Sequence, residues 1–231
     1  MPREATSRAE WLAAREALLL REKAHTRERD ALAEARRALP AMRMTGDYVF
    51  QGPDGPESLR DLFDGKSQLL VYHFMYGADW DEGCPSCSFW ADNLDGIDLH
   101  LAQRDTAFVM VSSAPYPALA AYRARMGWRF KWLSCAGNRF NSDLGVSFSA
   151  EELAAGTQVY NYRQGGFGGP EAPGLSAFLR KGSAIWHTYS TYGRGLDGFN
   201  GAYQLLDLTA KGRDEDGLPF SMAWLKRRDR Y

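Results

Sequence analysis

One segment constrains the fold of this chain more than any other. Residues 68–75 (QLLVYHFM) form an uninterrupted apolar run of strand length, and two cysteines follow it closely. Such a run is typical of a strand that is buried on both faces of a sheet. After the cysteines, residues 88–103 predict a helix, residues 106–111 a second buried strand, and residues 117–126 another helix. Because strands and helices alternate, we expect parallel strands joined by right-handed crossovers.

The second half of the chain predicts a different strand arrangement. Residues 175–180 and 183–189 are rich in β-forming side chains, and only Lys181 and Gly182 separate them, which fits a tight hairpin. The preceding glycine- and proline-rich stretch, residues 156–174, predicts a long surface loop with freedom to move. We therefore expect an α/β domain with a central mixed β-sheet flanked by helices. Shorter elements are expected at residues 48–50, a strand, and at residues 196–206, a helix.

The first 40 residues differ in composition from the rest of the chain. Residues 7–39 are rich in Ala, Leu, Arg and Glu, so they predict a helix that ends before Pro40. Apolar side chains that include Trp11, Leu18 and Leu32 recur at helical spacing and need to be covered. We expect the helix to pack on its own domain, with a homodimer through this arm as the alternative. The predicted division is an N-terminal helical arm, residues 1–40, and a domain, residues 41–231.

Composition and charge exclude several classes of protein. The 28 basic and 29 acidic side chains give a formal net charge of -1, so no overall field attracts nucleic acid or an anionic membrane. No apolar run is long enough to span a bilayer. The basic C-terminal residues 224–231 are expected to be a solvated terminus. Because the N-terminus lacks the order of a signal peptide and the chain has only 3 Cys, we expect a cytoplasmic protein with reduced thiols.

The most specific motif is Cys84-Pro85-Ser86-Cys87, a C-x-x-C between a buried strand and a predicted helix. A helix N-terminus presents free amide N–H groups and the positive end of the helix dipole, and both favour a thiolate. Cys84 is therefore the expected nucleophile. Cys87 lies one turn further along the helix, where it can attack a mixed disulfide formed by Cys84, so it is the expected resolving thiol.

Other uses of these cysteines stay open at this stage. Structural zinc with His73 or His187 has little support, because a second C-x-x-C or an H-x₃₋₅-H pattern is missing. The thiols could also be inert packing residues, and the acidic neighbours Asp79, Asp81 and Glu82 would oppose a thiolate if they faced the sulfur. A peroxidase would need a hydroxyl and an arginine around the peroxide. Here the residue three before Cys84 is Asp81, and Arg180 is the one arginine that we nominate.

Several residues near the motif have weaker predictions. We expect His73 to be a hydrogen-bonded core histidine and Cys135 to be a small core residue. Aromatic side chains around the motif could line a substrate groove, although such residues are usually part of a core. Tyr76 and Trp80 are expected to be the exposed ones.

Four segments together resemble a known family. They are Tyr72-His73-Phe74-Met75, Cys84-Pro85-Ser86-Cys87-Ser88, Arg125-Met126-Gly127-Trp128 and His187-Thr188-Tyr189-Ser190. In this order they are similar to a bacterial thioredoxin-like family catalogued as domain of unknown function 899, over nearly the whole chain. The resemblance implies a thioredoxin-like fold near the alkyl hydroperoxide reductase and peroxiredoxin branch. It does not imply a particular reaction, because fold alone does not determine function.

The motif departs from that of ordinary thioredoxins. Thioredoxins have a tryptophan directly before the first cysteine, where this chain has Gly83 and carries Trp80 further back. They also place a cis proline opposite the motif, just before the next strand. Pro173 lies near that place, with Gly174 between it and the strand.

These observations lead to one functional hypothesis and two alternatives. We expect a thiol–disulfide oxidoreductase that uses Cys84 and Cys87, with no cofactor and no bound metal. Its partners would be a protein or small-molecule disulfide or peroxide substrate and an unknown reductant. The alternatives are a peroxiredoxin-like peroxidase and a non-catalytic binding or scaffolding protein. The candidate substrate-binding residues are Tyr76, Trp80, Pro173 and Arg180.

Overall fold

An eight-stranded mixed sheet lies at the centre of the computed structural model, which describes residues 7–231. The strands are β1 (Met42–Arg43), β2 (Val49–Gly52), β3 (Gly55–Ser58), β4 (Gln68–His73), β5 (Thr106–Ser112), β6 (Lys131–Ser134), β7 (Val159–Tyr160), β8 (Arg163–Gln164), β9 (Gly174–Lys181) and β10 (Ala184–Tyr192). The helices are α1 (Arg8–Arg37), α2 (Pro85–Leu94), α3 (Asp98–Ala102), α4 (Tyr116–Met126), α5 (Phe140–Asp143), α6 (Ala150–Ala155) and α7 (Gly201–Leu206). The sheet order is β1-β10-β9-β4-β5-β6-β2-β3, and β7 and β8 form a separate hairpin.

The sheet order confirms the predicted thioredoxin-like α/β fold. Strand β4 pairs in parallel with β5, and β5 pairs in parallel with β6. On its other side β4 pairs antiparallel with β9, and β9 forms the predicted hairpin with β10. The strand that precedes the two cysteines is therefore central, and α2 connects it to its parallel neighbour.

Side chains of the central strands point alternately to the two faces of the sheet, so one core forms on each face. In β4, Tyr72 packs with α2, while Leu69 and Val71 pack on the opposite face. The first core also contains Trp132 of β6 and Tyr122 of α4. Because both faces are covered, the strands are apolar throughout, as their sequences indicate.

Two predicted helices are shorter than expected. The helix predicted over residues 88–103 is interrupted between Leu94 and Asp98, where Gly96 has a φ of 88° that suits glycine. The helix predicted over residues 196–206 is a 3₁₀ segment, Gly193–Phe199, followed by α7. Asn200 separates the two because its side chain accepts a hydrogen bond from the Tyr203 amide and caps the new helix.

The glycine-rich stretch before β9 is more ordered than predicted. It contains the β7–β8 hairpin, and Tyr160 is buried. The Tyr160 hydroxyl donates to the Pro173 carbonyl at 2.7 Å and accepts from the Gly193 amide at 2.8 Å. Most of the stretch lies on the surface as predicted, a buried aromatic ring ties part of it to the sheet, and its freedom to move stays a prediction.

The N-terminal helix forms as predicted but does not pack as predicted. Helix α1 is continuous over 30 residues, and Ser7 caps it by accepting from the Glu10 amide. None of its residues is buried, so the expectation that it packs on its own domain is wrong. Residues 1–6 of the predicted arm lie outside the described residues, and the division at residue 40 stays a prediction. Within residues 7–231, no helix has both the length and the apolar character that crossing a membrane requires.

Candidate active site

The end of β4 and the start of α2 hold the two cysteines together. The Cys84 amide donates to the Met75 carbonyl at 3.0 Å, just beyond the last residue of β4. Cys84 is the N-cap of α2, and Pro85 occupies the first turn, where its missing N–H costs nothing. The amide and hydroxyl of Ser88 both donate to the Cys84 carbonyl at 2.9 Å. The sulfur of Cys84 is thus fixed at the N-terminus of a ten-residue helix.

Hydrogen-bond donors surround the sulfur of Cys84. A hydrogen bond from the Cys87 thiol is the largest effect, and the amides of Cys87 and Ser86 add to it, so the pKa of Cys84 falls to about 6 despite partial burial. The contribution of the two amides is the effect expected of a helix N-terminus on a thiol. Because Cys84 is only partly buried, a substrate can reach it. At neutral pH it is mostly a thiolate.

Cys87 has the opposite character. Its side chain is 1% exposed, and burial, followed by the hydrogen bond to Cys84, raises its pKa well above that of a free thiol. Two donors nevertheless point at its sulfur, the Met75 amide at 3.4 Å and the Tyr72 hydroxyl. Cys87 is therefore a protonated, inaccessible thiol that already has partners for a negative charge.

A cluster of ion pairs neutralises the acidic residue next to the motif. Glu82 binds Arg125 at 2.5 Å, Arg227 at 2.8 Å, and Arg230. The concern that the acidic residues before Cys84 oppose its thiolate is thus removed for Glu82, because three guanidinium groups face one carboxylate.

The C-terminal segment contributes one side chain directly to the motif. Arg227 donates to the Gly83 carbonyl at 2.7 Å and to the Tyr122 hydroxyl at 2.9 Å. Its side chain is 14% exposed, so the prediction of a solvated C-terminus is wrong here. The sequence alone does not indicate this contact, because it joins residues 144 positions apart.

The predictions for two of the four candidate substrate-binding residues are wrong, in the location of Arg180 and in the exposure of Tyr76. Arg180 lies at the opposite end of the sheet, where its amide donates to the Ser67 carbonyl and its guanidinium to the carbonyls of Gly65 and Lys66. Since β9 runs antiparallel to β4, that end is about 25 Å from Met75 at the strand rise of 3.3 Å per residue. Tyr76 is near the motif but buried, and its hydroxyl donates to the Asp81 carbonyl at 3.1 Å.

The other two residues lie near the dithiol. Gly174 pairs with His73 in the sheet, so Pro173, the residue before it, lies toward the edge that carries Met75. Among the described residues all peptide bonds are trans, including the one before Pro173. Trp80 is partly buried against the core that contains Cys87. Whether Pro173 and Trp80 contact substrate stays a prediction.

Two of the four histidines, His73 and His187, belong to a separate hydrogen-bond network. His73 is hydrogen-bonded to Asn141 and Ser176, both at 2.9 Å, which confirms the prediction of a core histidine. Ser176 and Ser190 continue the chain to His187. Burial lowers the pKa of His73 to about 4, so its ring is neutral at pH 7. Residues 7–231 contain no group of three or more His, Cys, Asp or Glu arranged to hold a metal ion.

The third cysteine is buried, as predicted. Cys135 is 3% exposed, and its thiol donates to the Ser112 carbonyl at 3.4 Å. Burial raises its pKa to about 12. It is a protonated core residue at neutral pH.

Sequence reasoning missed two contributors to the site, Tyr72 and Arg227. In the sequence, Tyr72 is one of the aromatic side chains around the motif, and nothing local assigns it a role at the cysteines. Its period-two position in β4, on the face that packs against α2, was the available evidence that its hydroxyl approaches the cysteines. No comparable pattern marks Arg227.

The fold and the site define a thioredoxin-like protein with an accessible thiol and a buried one at a helix N-terminus. The chain belongs to the family described as bacterial protein of unknown function (DUF899), which it matches over residues 1–231. No curated protein sequence matches it.

Solved structures of low sequence identity are similar to this chain. Peroxidoxin BcpB from Mycobacterium tuberculosis is 13% identical, with a TM-score of 0.49 over 72% of this chain and 97% of the other. The bacterioferritin comigratory protein of Xanthomonas campestris is 12% identical, with a TM-score of 0.44 over 72% and 96%. A secreted M. tuberculosis disulfide oxidoreductase homologous to E. coli DsbE is 14% identical, with a TM-score of 0.37 over 68% and 96%.

Proposed function

We propose that this protein is a thiol–disulfide oxidoreductase in which Cys84 attacks and Cys87 resolves. The observation that carries the proposal is the asymmetry of the pair. Cys84 is partly exposed with a pKa lowered to about 6, whereas Cys87 is buried with a raised pKa. Attack needs an accessible thiolate, and resolution needs a second thiol that external disulfides cannot reach.

The reaction would proceed in two exchanges. The Cys84 thiolate attacks one sulfur of a substrate disulfide, the substrate S–S bond breaks, and the first substrate sulfur leaves as a thiolate. Cys87 then loses its proton to that thiolate or to water and attacks the Cys84 sulfur. The second substrate thiolate leaves, and the protein retains a Cys84–Cys87 disulfide. Two electrons have passed from the dithiol to the substrate.

A complete cycle needs an external reductant. A dithiol donor of the thioredoxin class, or glutathione, would reduce the Cys84–Cys87 disulfide by the same exchange in reverse. We place the reaction in the cytoplasm, where such donors keep thiols reduced. The substrate would be a protein or small-molecule disulfide, and the electrons come from the thiols themselves, so the scheme uses no cofactor or metal.

The direct test is to trap the first intermediate. The Cys87→Ser variant should accumulate a mixed disulfide on Cys84 when it is mixed with a model disulfide such as oxidised glutathione, and intact-mass spectrometry should show one adduct per chain. The Cys84→Ser variant is the matched control and should form none. An adduct that forms equally on both variants, or on neither, would remove the proposal.

The wild type and the same two variants distinguish a disulfide reductase from a peroxidase. Asp81 stands where the hydroxyl-bearing residue of a peroxide pocket is expected, and the nearby Arg227 guanidinium is already bound to Glu82 and Gly83. We therefore expect slow oxidation by hydrogen peroxide and faster exchange with disulfides. Rapid peroxide consumption that depends on Cys84 would instead support the peroxidase, and thiols inert to both oxidants would support a binding protein.

A further inference from the structure

Arg227 binds the backbone directly before Cys84. Its Nε and Nη2 both donate to the Gly83 carbonyl, at 3.2 and 2.7 Å. The remaining amino group, Nη1, binds the Glu82 carboxylate at 2.8 Å, and the side chain is 14% exposed. A guanidinium is a rigid, planar fork of donors, so it orients a carbonyl that it binds through two of them. The peptide group between Gly83 and Cys84 is thus held by a residue far away in the chain.

A chain of hydroxyl groups links the same guanidinium to the other side of Cys84. Arg227 Nε lies 2.9 Å from the Tyr122 hydroxyl, and that hydroxyl lies 2.9 Å from the Ser88 hydroxyl. Ser88 in turn donates to the Cys84 carbonyl at 2.9 Å. An arginine can only donate and a carbonyl can only accept, so every proton along this chain points toward Cys84. Arg227 is therefore connected to the carbonyl of the nucleophile and to the carbonyl of the residue before it.

Aromatic rings leave no space for a side chain at Gly83. A Cβ at this position would lie 2.7 Å from a ring carbon of Phe74 and 3.1 Å from one of Tyr122. These distances are shorter than a carbon–carbon contact allows, which accounts for the glycine directly before Cys84. With two rings beside it and Arg227 at its carbonyl, Gly83 has little freedom to move.

The orientation of these peptide groups decides how well the start of α2 holds the sulfur. The backbone amides of Ser86 and Cys87 donate to the Cys84 sulfur. A hydrogen bond weakens steeply when its angle departs from linearity. Rotation of the peptide groups next to Cys84 would turn its side chain away from these amides. Groups that fix both carbonyls therefore keep the sulfur where the amides reach it.

We propose that Arg227 is a positioning residue of the dithiol, which holds the backbone on both sides of Cys84 so that the amides at the start of α2 stay aimed at its sulfur. The C-terminal segment, residues 222–231, is then part of the active site. Trp224 of this segment packs edge-on against Phe89 of α2, with 5.7 Å between the ring centroids, and so fixes the segment beside the motif. The inference rests on the proposed role of Cys84 as the attacking thiol.

A test must separate the orienting effect of Arg227 from the effect of its charge. The ion-pair cluster beside Gly83 contains three guanidiniums and two carboxylates, those of Arg125, Arg227, Arg230, Glu82 and Asp229. At the sulfur itself, the ionisable neighbours include the Cys87 thiol and the Tyr72 hydroxyl. Arg227→Lys leaves the charge of the cluster unchanged and removes the planar fork. A change in Cys84 in this variant therefore reports orientation.

The pH dependence of Cys84 alkylation by iodoacetamide, followed by peptide mass spectrometry, tests the proposal. Arg227→Lys should raise the midpoint by about one pH unit, which corresponds to the loss of one hydrogen bond to a charged group. Arg228→Lys is the matched control. It makes the same change one position later, where the guanidinium binds Asp92, and should leave the midpoint unchanged. Circular dichroism verifies that both variants fold. No shift in Arg227→Lys, or equal shifts in the two variants, would overturn the proposal.

A second variant tests the hydroxyl chain. Tyr122→Phe cuts the connection to the Cys84 carbonyl and leaves the bonds from Arg227 to Gly83, so it should raise the midpoint less than Arg227→Lys does. An unchanged midpoint in Tyr122→Phe would overturn the role of the chain. The wild type distinguishes this inference from the proposed function. A wild-type midpoint near 9 would contradict both, whereas a midpoint near 6 that Arg227→Lys does not change would contradict the positioning role alone.

Discussion

Cys84 and Cys135 occupy similar places in the fold and have opposite chemistry. Cys84 follows the end of β4 and Cys135 follows the end of β6, and these strands run in the same direction at the centre of the sheet. The pKa of Cys84 falls to about 6, whereas the pKa of Cys135 rises to about 12. A cysteine after a parallel strand is therefore not enough to produce a reactive thiol.

The groups that face each sulfur explain the difference. Cys84 caps a ten-residue helix and accepts hydrogen bonds, which favour the thiolate. At Cys135 burial is the largest effect and raises the pKa, hydrogen bonds to the sulfur from Ser113 and from backbone amides only partly offset it, and nothing but a turn follows this cysteine before the four-residue α5. The largest effect at Cys84 is instead the hydrogen bond from the Cys87 thiol, and this difference separates the reactive cysteine from the inert one.

The largest expected effect concerns turnover. Cys84→Ser should lower disulfide reductase activity at least about 10³-fold, as removal of a nucleophile does. Cys135→Ala should change the specific activity of the folded protein less than about twofold, because its sulfur takes no part in the reaction. Insulin reduction with dithiothreitol as donor measures both. Similar losses in the two variants would show that the distinction between these cysteines is wrong.

A smaller effect is expected at the second step. Tyr72→Phe removes one of the two donors to the Cys87 sulfur and should slow resolution of the mixed disulfide about tenfold, the usual value of a hydrogen bond to a charged group. The rate of Cys84 attack should not change. Tyr76→Phe is the matched control, since its hydroxyl contacts the Asp81 carbonyl instead. Rapid-quench trapping resolves the two steps, and equal rates of resolution in both variants would exclude a role for the Tyr72 hydroxyl.

The free energy of unfolding should depend on pH through Cys84 but not through Cys135. The pKa of Cys84 is lower in the folded protein than its usual value near 9, so its contribution is present at high pH and is lost as pH falls through about 6. At pH 7 the Cys84 thiolate should add about 1 kcal/mol to the free energy of unfolding of the reduced wild type relative to Cys84→Ser. The gain should be larger at pH 8. The difference between wild type and Cys135→Ala should be independent of pH over this range. Urea unfolding under reducing conditions tests this, and a difference between wild type and Cys84→Ser that does not change with pH would contradict it.

The smallest effect involves the C-terminal segment beside Cys84. Hydrogen bonds from Arg125 lower the pKa of both Glu82 and Asp229. The two contacts therefore stabilise the fold at pH values above the usual carboxylate pKa, and this stabilisation is lost as the pH falls through the lowered pKa values. Hydrogen exchange of residues 222–231 should therefore increase between pH 6 and pH 3 beyond the intrinsic change. Glu82→Gln should raise exchange of this segment already at pH 6. Unchanged exchange in that variant would mean that the other contacts of the segment, such as Arg227 with Gly83 and Trp224 with Phe89, hold it without Glu82.

The sequence predicted the local features of the fold better than the long-range ones. The apolar runs of β4 and β5, the C-x-x-C at the start of α2 and the β9–β10 hairpin depend on neighbouring residues, and all three form as expected. The predicted place of Arg180 failed because an antiparallel strand carries its far end away from the motif. Arg227 was missed because its contact with Gly83 depends on how the C-terminal segment returns across the fold.

The predictions for α1 show the same limit. Its extent follows from local sequence and was predicted. The surface that covers its apolar stripe is determined by tertiary or quaternary packing. The prediction that the helix packs on its own domain was wrong. The break in the helix predicted after Cys87 could have been anticipated from Gly96, whose positive φ ends α2 and separates it from α3.

The most direct test of the account is the pH dependence of alkylation at each cysteine. Reduced protein is treated briefly with iodoacetamide across the pH range, and peptide mass spectrometry follows Cys84, Cys87 and Cys135 separately. We predict that Cys84 reacts with a midpoint near pH 6 while Cys87 and Cys135 stay unmodified in the folded protein. A midpoint for Cys84 near 9, or equal reactivity of Cys84 and Cys135, would contradict a dithiol activated by the start of α2.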